Sequence, residues 1–175
     1  MLESGAVAAH GQAELWAALH KETVFHFAEC ERHCLIALAL SADDDVAAHL
    51  LLKKVKLARI VARPALPRDV VRLDSRVAYR HGRGASGEAR LCHPSAIEAD
   101  GVDVAGLLGA GLIGLAAGQS VLWPGADGRL ATLEVLAVEN EEPRPEPRRP
   151  ARVIPFRRSP MRRHDEEPEP PPSAA

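Results

Sequence analysis

The chain has 175 residues, a formal net charge of −2 at neutral pH and 46% apolar residues, with aromatics at only 3%. Length and apolar content suit one packed domain with appendages, and the near-zero charge excludes a global field drawing the whole molecule to nucleic acid or membrane. So few aromatics predict an aliphatic core.

The N-terminal stretch MLESGAVAAHGQAELW lacks the basic segment and continuous apolar run of a signal peptide, so a cytoplasmic protein is expected. Three cysteines fit reduced thiols in that compartment. Residues 12–21 predict a short amphipathic helix with Leu15, Trp16 and Leu19 on one side. Residues 23–27 read as extended, and residues 28–40 as a helix. Asp43, Asp44 and Asp45 precede a second helix over residues 46–60, which Pro64 and Pro67 end. Two helices with a short joint predict an antiparallel hairpin.

Cys30, His33 and Cys34, with His26 nearby, form the one metal-like cluster. A structural zinc site draws a second ligand pair from elsewhere, and none is visible, so no metal is assigned. The three aspartates suit a helix N-cap set against the positive end of the helix dipole. The sharper alternative is a carboxylate cluster at a hairpin tip that helps hold a metal ion.

Residues 70–80 (VVRLDSRVAYR) predict a strand, residues 81–87 a glycine-containing turn, and residues 88–93 a second strand closed by Pro94. Residues 95–101 read as a loop with an acidic stretch. Residues 102–138 admit three readings. Gly109, Gly111 and Gly114 spell G-x-G-x-x-G, the pattern that lets a backbone approach a pyrophosphate, but a crossover unit needs a full helix and a second strand ending in an acid. Here Gly118 breaks the helix early, and Asp127 lies in a turn. A membrane span fails on length, because fifteen helical residues cover about 22 Å of a core of about 30 Å. The third reading is a short buried helix carrying Leu107, Leu108, Leu112 and Leu115, with Gly118 as its C-cap glycine. A β-hairpin about residues 124–128 follows. Leu133, Val135 and Ala137 alternate with Thr132, Glu134 and Leu136, so one face of the last strand is drier. Strand, strand, short helix, strand, strand predicts a small antiparallel α+β domain.

From Glu141 onward proline and charge replace aliphatics, the composition of a disordered tail. Its arginines (Arg144, Arg148, Arg149, Arg152, Arg157, Arg158, Arg162 and Arg163) could attract RNA or DNA, though glutamates nearly neutralise them. The expected division is an N-terminal extension (1–22), a short coiled-coil-like helical hairpin (23–63), the α+β domain (64–140) and the tail (141–175).

Residues 51–138 resemble the C-terminal domain of the GreA/GreB transcription elongation factors, and most of all the shorter relatives of the regulator of nucleoside diphosphate kinase (Rnk) type. The residues carrying the resemblance are Leu66-Pro67-x-Asp69-Val70-Val71, Leu73-x-Ser75-x-Val77, Leu91-x-x-Pro94 and Glu98-Ala99-Asp100. Gly109-Ala110-x-Leu112-Ile113-Gly114-Leu115, Gly118-Gln119-Ser120-Val121 and Gly128 complete it. The resemblance implies an FKBP-like α+β domain that docks on RNA polymerase beside the secondary channel. It places docking in Val104, Ala105, Gly106, Leu107 and Leu108, with Glu98 and Asp100 as polar contacts. Where the family has a Ser-Pro or Thr-Pro pair, this chain has Gly106-Leu107, losing a capping hydroxyl and a proline suited to the first helical turn. Full-length Gre factors carry tip carboxylates on a long coiled coil to the polymerase active site. A helix of about fifteen residues spans only about 22 Å, so Asp43, Asp44 and Asp45 are not expected to stimulate transcript cleavage. The expectation is a non-enzymatic regulator of transcription elongation without cofactor. The alternatives are a small dinucleotide-binding protein using Gly109, Gly111 and Gly114, and a nucleic-acid adaptor acting through the tail.

Overall fold

The computed structural model describes residues 3–84, 86–97, 100–125 and 127–140, without the side chains of residues 3–7. The tail expected over 141–175 lies outside the described residues, as do Ala85, Glu98, Ala99 and Ala126. Residues 1–142 make one compact unit, of mixed α+β class.

The helical part has three members. α1 (Glu3–Leu19) is longer than its sequence signal, and of the three residues expected on one side only Trp16 is buried. Ala9, Ala13, Trp16 and His20 point inward, whereas Leu15 and Leu19 are 61% and 56% exposed. α2 (Glu29–Leu40) and α3 (Asp45–Leu57) follow, joined by the four residues 41–44. Asp44 is the N-cap of α3, its Oδ1 accepting from the amides of Val46 (2.9 Å) and Ala47 (3.1 Å). α3 stops one turn before the expected residue 60. The β-branched Ile60 and Val61 suit an extended chain, and Arg59–Val61 forms β2, paired in parallel with β1 (His26–Ala28). The extended segment expected at residues 23–27 therefore contributes only its end to a strand.

The main sheet has the order β5-β4-β3-β7-β6, built from β3 (Arg76–His81), β4 (Ser86–Cys92), β5 (Gly101–Asp103), β6 (Ser120–Pro124) and β7 (Leu130–Glu139). It is mixed rather than wholly antiparallel, because β5, not expected as a strand and with Gly101 in the expected loop, pairs in parallel with β4. The strand expected over residues 70–80 is broken at Asp74, which takes φ 66°, a left-handed turn that aspartate tolerates better than most residues. Val70 and Val71 instead meet the segment after α4 (Leu107–Leu112), with Val71 N–H on Leu115 O at 2.8 Å. A bulge where Tyr79 pairs with Val135 and Ala78 with Ala137 leaves Leu136 as the extra residue. It shifts the alternation, so Leu133, Val135 and Val138 pack inward and Ala137 is exposed, against the simple two-residue period.

One core joins helices and sheet. It includes Leu35, Leu51 and Val55 from the helices and Val77, Leu91, Leu133 and Val135 from the sheet. It is mostly aliphatic, as the composition predicts, with a small aromatic group inside it. Trp16 lies 5.7 Å from Phe25 and 5.4 Å from Trp123, ring to ring. Among the described residues, Trp16, Phe25, Phe27 and Trp123 are buried and Tyr79 is partly buried. α1 also closes the β6 edge of the sheet. Trp16 Nε1 donates to Leu122 O at 2.7 Å, and Leu122 N–H donates to His20 Nε2 at 3.0 Å.

Candidate docking site

The site grows from α4 and the loop that feeds it. β5 ends at Asp103, whose Oδ1 accepts the Ala105 amide at 2.8 Å and turns the chain. Gly106 caps α4 without a side-chain hydrogen bond. α4 has only six residues, and its glycines explain its position. A Cβ on Gly109 would lie 2.1 Å from Asp103 O, and one on Gly111 would lie 2.6 Å from Leu133 and 2.8 Å from the Trp123 ring. Gly114 ends the helix with φ +78°, and a Cβ there would meet the Phe27 ring at 2.5 Å. The helix C-cap region is therefore built on Gly114, not on Gly118, which makes the later turn before β6 at φ +80°. All three glycines of the G-x-G-x-x-G pattern are filled by this chain's own atoms. Their absence of side chains lets α4 sink onto the sheet, leaving no cradle for a pyrophosphate.

Of the five loop residues, Val104 and Ala105 are buried, whereas Gly106, Leu107 and Leu108 are partly exposed. Leu107 and Leu108 form one wall of a groove of about 380 Å³. Tyr79, His81 and Gly87 come from the inner side of β3 and β4, with Trp123, Pro124 and Gly125 closing the far end. A Cβ on Gly87 would lie 2.9 Å from the Tyr79 ring and hydroxyl, so the glycine lets Tyr79 lie across β4. Trp123 Nε1 donates to Leu107 O at 2.7 Å and fixes the wall. The groove is aromatic and aliphatic with few polar groups, suited to an apolar side chain of a partner.

Asp100 sits elsewhere. Its carboxylate is 3.7 Å from the Arg76 guanidinium, both groups more than half exposed. It shares a surface with Ala78, Glu88, Arg90 and Glu139, the opposite pleat of the sheet from Tyr79. The structure thus brings the loop together with Tyr79, His81 and Trp123 but not with Asp100. Sequence reasoning did not single out Tyr79, His81 or Trp123. Pairing of Tyr79 with Gly87 is the signal that would have found the groove.

Asp43, Asp44 and Asp45 are all exposed at the α2–α3 joint. Cys30 and His33 are exposed and Cys34 is partly buried on α2. Among the described residues no group of three or more His, Cys, Asp or Glu side chains is gathered where it could hold a metal ion. Among them, too, no helix is long and apolar enough to cross a membrane. Two buried ionisable groups stand out. Burial pushes the Glu31 carboxyl up, opposed by Arg63, and its Oε2 has no hydrogen-bond partner. Lys54 is fully buried, and desolvation drives its amine well below the usual lysine range.

No protein-family model matches the chain, and no curated protein matches it. Solved structures do. The prokaryotic transcription elongation factor GreA/GreB from Nitrosomonas europaea superimposes with a TM-score of 0.53 at 19% identity, over 66% of this chain and 98% of that one. The GreA factor homolog Gfh1 of Thermus thermophilus aligns with a TM-score of 0.34 at 14% identity, over 78% of this chain and 95% of its own. Gfh1 of Thermus aquaticus gives 0.36 at 15%, over 79% and 96%. Sequence identity this low speaks for architecture: residues of this chain are arranged in the fold of a GreA/GreB elongation factor structure, nearly the whole of which finds a counterpart here.

Proposed function

We propose that this chain is a regulator of transcription elongation that binds RNA polymerase beside its secondary channel, as a short, Rnk-type member of the Gre group with an FKBP-like sheet domain. The observation that carries this reading is the fold match over 98% of the GreA/GreB structure, together with the motif order in residues 51–138. The docking face is narrower than the sequence suggested. Gly106, Leu107 and Leu108, with Tyr79 and His81 across the groove, supply the accessible surface. Asp100, on the opposite pleat of the sheet, falls outside this face.

The regulator acts without stimulating transcript cleavage. α3 has 13 residues and rises about 20 Å, and α1 packs against it along with α2. The Asp43, Asp44 and Asp45 carboxylates therefore stay close to the body. The protein competes for the channel entrance and delivers no metal-binding acid to the catalytic centre.

The test is a pull-down of RNA polymerase with the tagged chain, whole and cut after Asn140, in competition with a Gre factor. Competed binding by both forms is expected, with loss on Leu107→Asp or Leu108→Asp. Binding that vanishes on truncation and falls steeply with salt would transfer the function to the arginine-rich tail. No binding by either form refutes the proposal.

A further inference from the structure

Lys54 has no part in the docking face, yet it controls the element that carries it. Its Nζ donates to Gly111 O at 2.6 Å and to Ala110 O at 3.2 Å. In a continuing helix these carbonyls would accept from Gly114 and Leu115. Here Gly114 N–H is diverted to Val71 O at 2.8 Å, and Leu115 N–H to Leu112 O at 3.2 Å. The six-residue helix thus ends with two carbonyls open in the interior, where an unpaired acceptor is unfavourable. One amine from α3 closes both.

The same amine stands 5.1 Å from the centre of the Phe25 ring and 5.5 Å from that of Trp123, so it also packs against both rings. Trp123 in turn holds Leu107 O through its indole N–H. Both ends of α4 are therefore tied: the first residue by Trp123, the last turn by Lys54. No described carboxylate is hydrogen-bonded to Lys54. Full burial of an amine is unfavourable, and a methionine of similar length would fill the space without that penalty.

We propose that Lys54 is a positioning residue for docking: through α4 and Trp123 it makes α3 hold Gly106, Leu107 and Leu108 in the orientation presented to the partner. The inference rests on the polymerase-binding reading, so its test has one arm that does not need polymerase. Lys54→Met and Trp123→Phe are compared with the wild type by residue-resolved amide hydrogen exchange and by polymerase affinity. The amides of Ala110 and Ile113, which bond Gly106 O and Gly109 O, are expected to exchange about tenfold faster in Lys54→Met, the loss of roughly one net hydrogen bond. Amides of β3 and α2 keep their wild-type rates, which a merely stabilising residue would not allow, since global unfolding raises all rates together. Polymerase affinity is expected to fall about tenfold in both variants. Wild-type exchange at Ala110 and Ile113 in Lys54→Met, or a uniform rise across the chain, overturns the positioning role. Selective opening of α4 with unchanged affinity overturns its link to docking. If the wild type itself fails to bind polymerase, the functional reading fails, and selective opening still supports Lys54 as the holder of α4. If Lys54→Met does not fold, Trp123→Phe decides: unchanged affinity with folded protein overturns the proposal.

Discussion

Replacing glycine with alanine inside a helix ordinarily stabilises it by about 1 kcal/mol. In this molecule the same change is predicted to have opposite signs at two helical positions. Gly11 in α1 is exposed, and a Cβ there meets nothing within 4 Å. Gly11→Ala should therefore raise stability by about 1 kcal/mol. At Gly109 the new Cβ would lie 2.1 Å from Asp103 O and 2.7 Å from Val104 Cα. Both obstacles are backbone, so no rotamer change relieves the overlap, and α4 must lift from the end of β5 by about 1 Å to restore ordinary contact. Lifting α4 also withdraws Gly111 from Leu133 and Trp123. Overpacking of this kind costs about 1–3 kcal/mol, and against it stands the helix-propensity gain of about 1 kcal/mol. A net loss of about 2 kcal/mol is expected, because the clash is at the severe end. In urea, with a slope of about 2 kcal/mol per molar, Gly109→Ala should lower the midpoint by about 1 M and Gly11→Ala should raise it by about 0.5 M. A Gly109→Ala midpoint equal to or above the wild type would refute the close approach of α4 to β5. It would also return the glycine pattern to ligand binding as its explanation.

Three further outcomes follow from particular contacts. Asp44→Ala removes the acceptor of two α3 amides and should cost about 1 kcal/mol in thermal unfolding, whereas Asp43→Ala should leave the midpoint within experimental error. Glu31→Gln should make stability less dependent on pH. Burial raises the Glu31 pKa in the folded state above its unfolded value, so its contribution is complete below about pH 4 and is lost as pH rises through the raised value. The variant should gain on the wild type at neutral pH and lose that advantage in acid; a constant difference across pH would show that the carboxyl is not the cause. Trp16→Phe keeps a ring in the core but deletes the bond to Leu122 O; chemical denaturation should register a loss of about 1 kcal/mol.

How far the sequence disclosed this fold depends on which forces decide each element. α2, α3 and the β6–β7 hairpin follow from local periodicity and turn chemistry, and their positions shift only at the ends. The buried face of α1 does not follow, because Leu15 and Leu19 look like the better core residues, yet the indole N–H of Trp16 and the ring of His20 have partners 102 and more residues away in β6. β2 and β5 are three-residue strands completed by a partner, β1 or β4, and the β-branched pair Ile60-Val61 is too short a local signal to mark β2 by itself. Asp74 breaks a strand that the apolar spacing of residues 70–80 favours. The docking loop is placed by resemblance alone, and its burial pattern is not legible: Val104 and Ala105 turn inward because Asp103 forms its turn there. Lys54 is legible in hindsight. It falls in register with Ala47, Leu50 and Leu51 on the apolar stripe of α3, and a lysine at that place implies either a paired charge or an unmet acceptor nearby.

The bonds from Trp16 and His20 to Leu122 have a consequence beyond stability. β6 is the last strand on its side of the sheet, and a strand in that place offers free amide and carbonyl groups to any extended segment that passes. Leu122 is the middle residue of β6 and is 40% exposed. Left bare, its backbone would present the pairing groups on which foreign strands add. His20, just past α1, answers the amide with an imidazole nitrogen and Trp16 of α1 answers the carbonyl with its indole N–H, so two side chains occupy bonding positions of an absent sixth strand. At Leu122, the N-terminal segment thereby takes up the pairing groups that an added strand would use at the β6 edge.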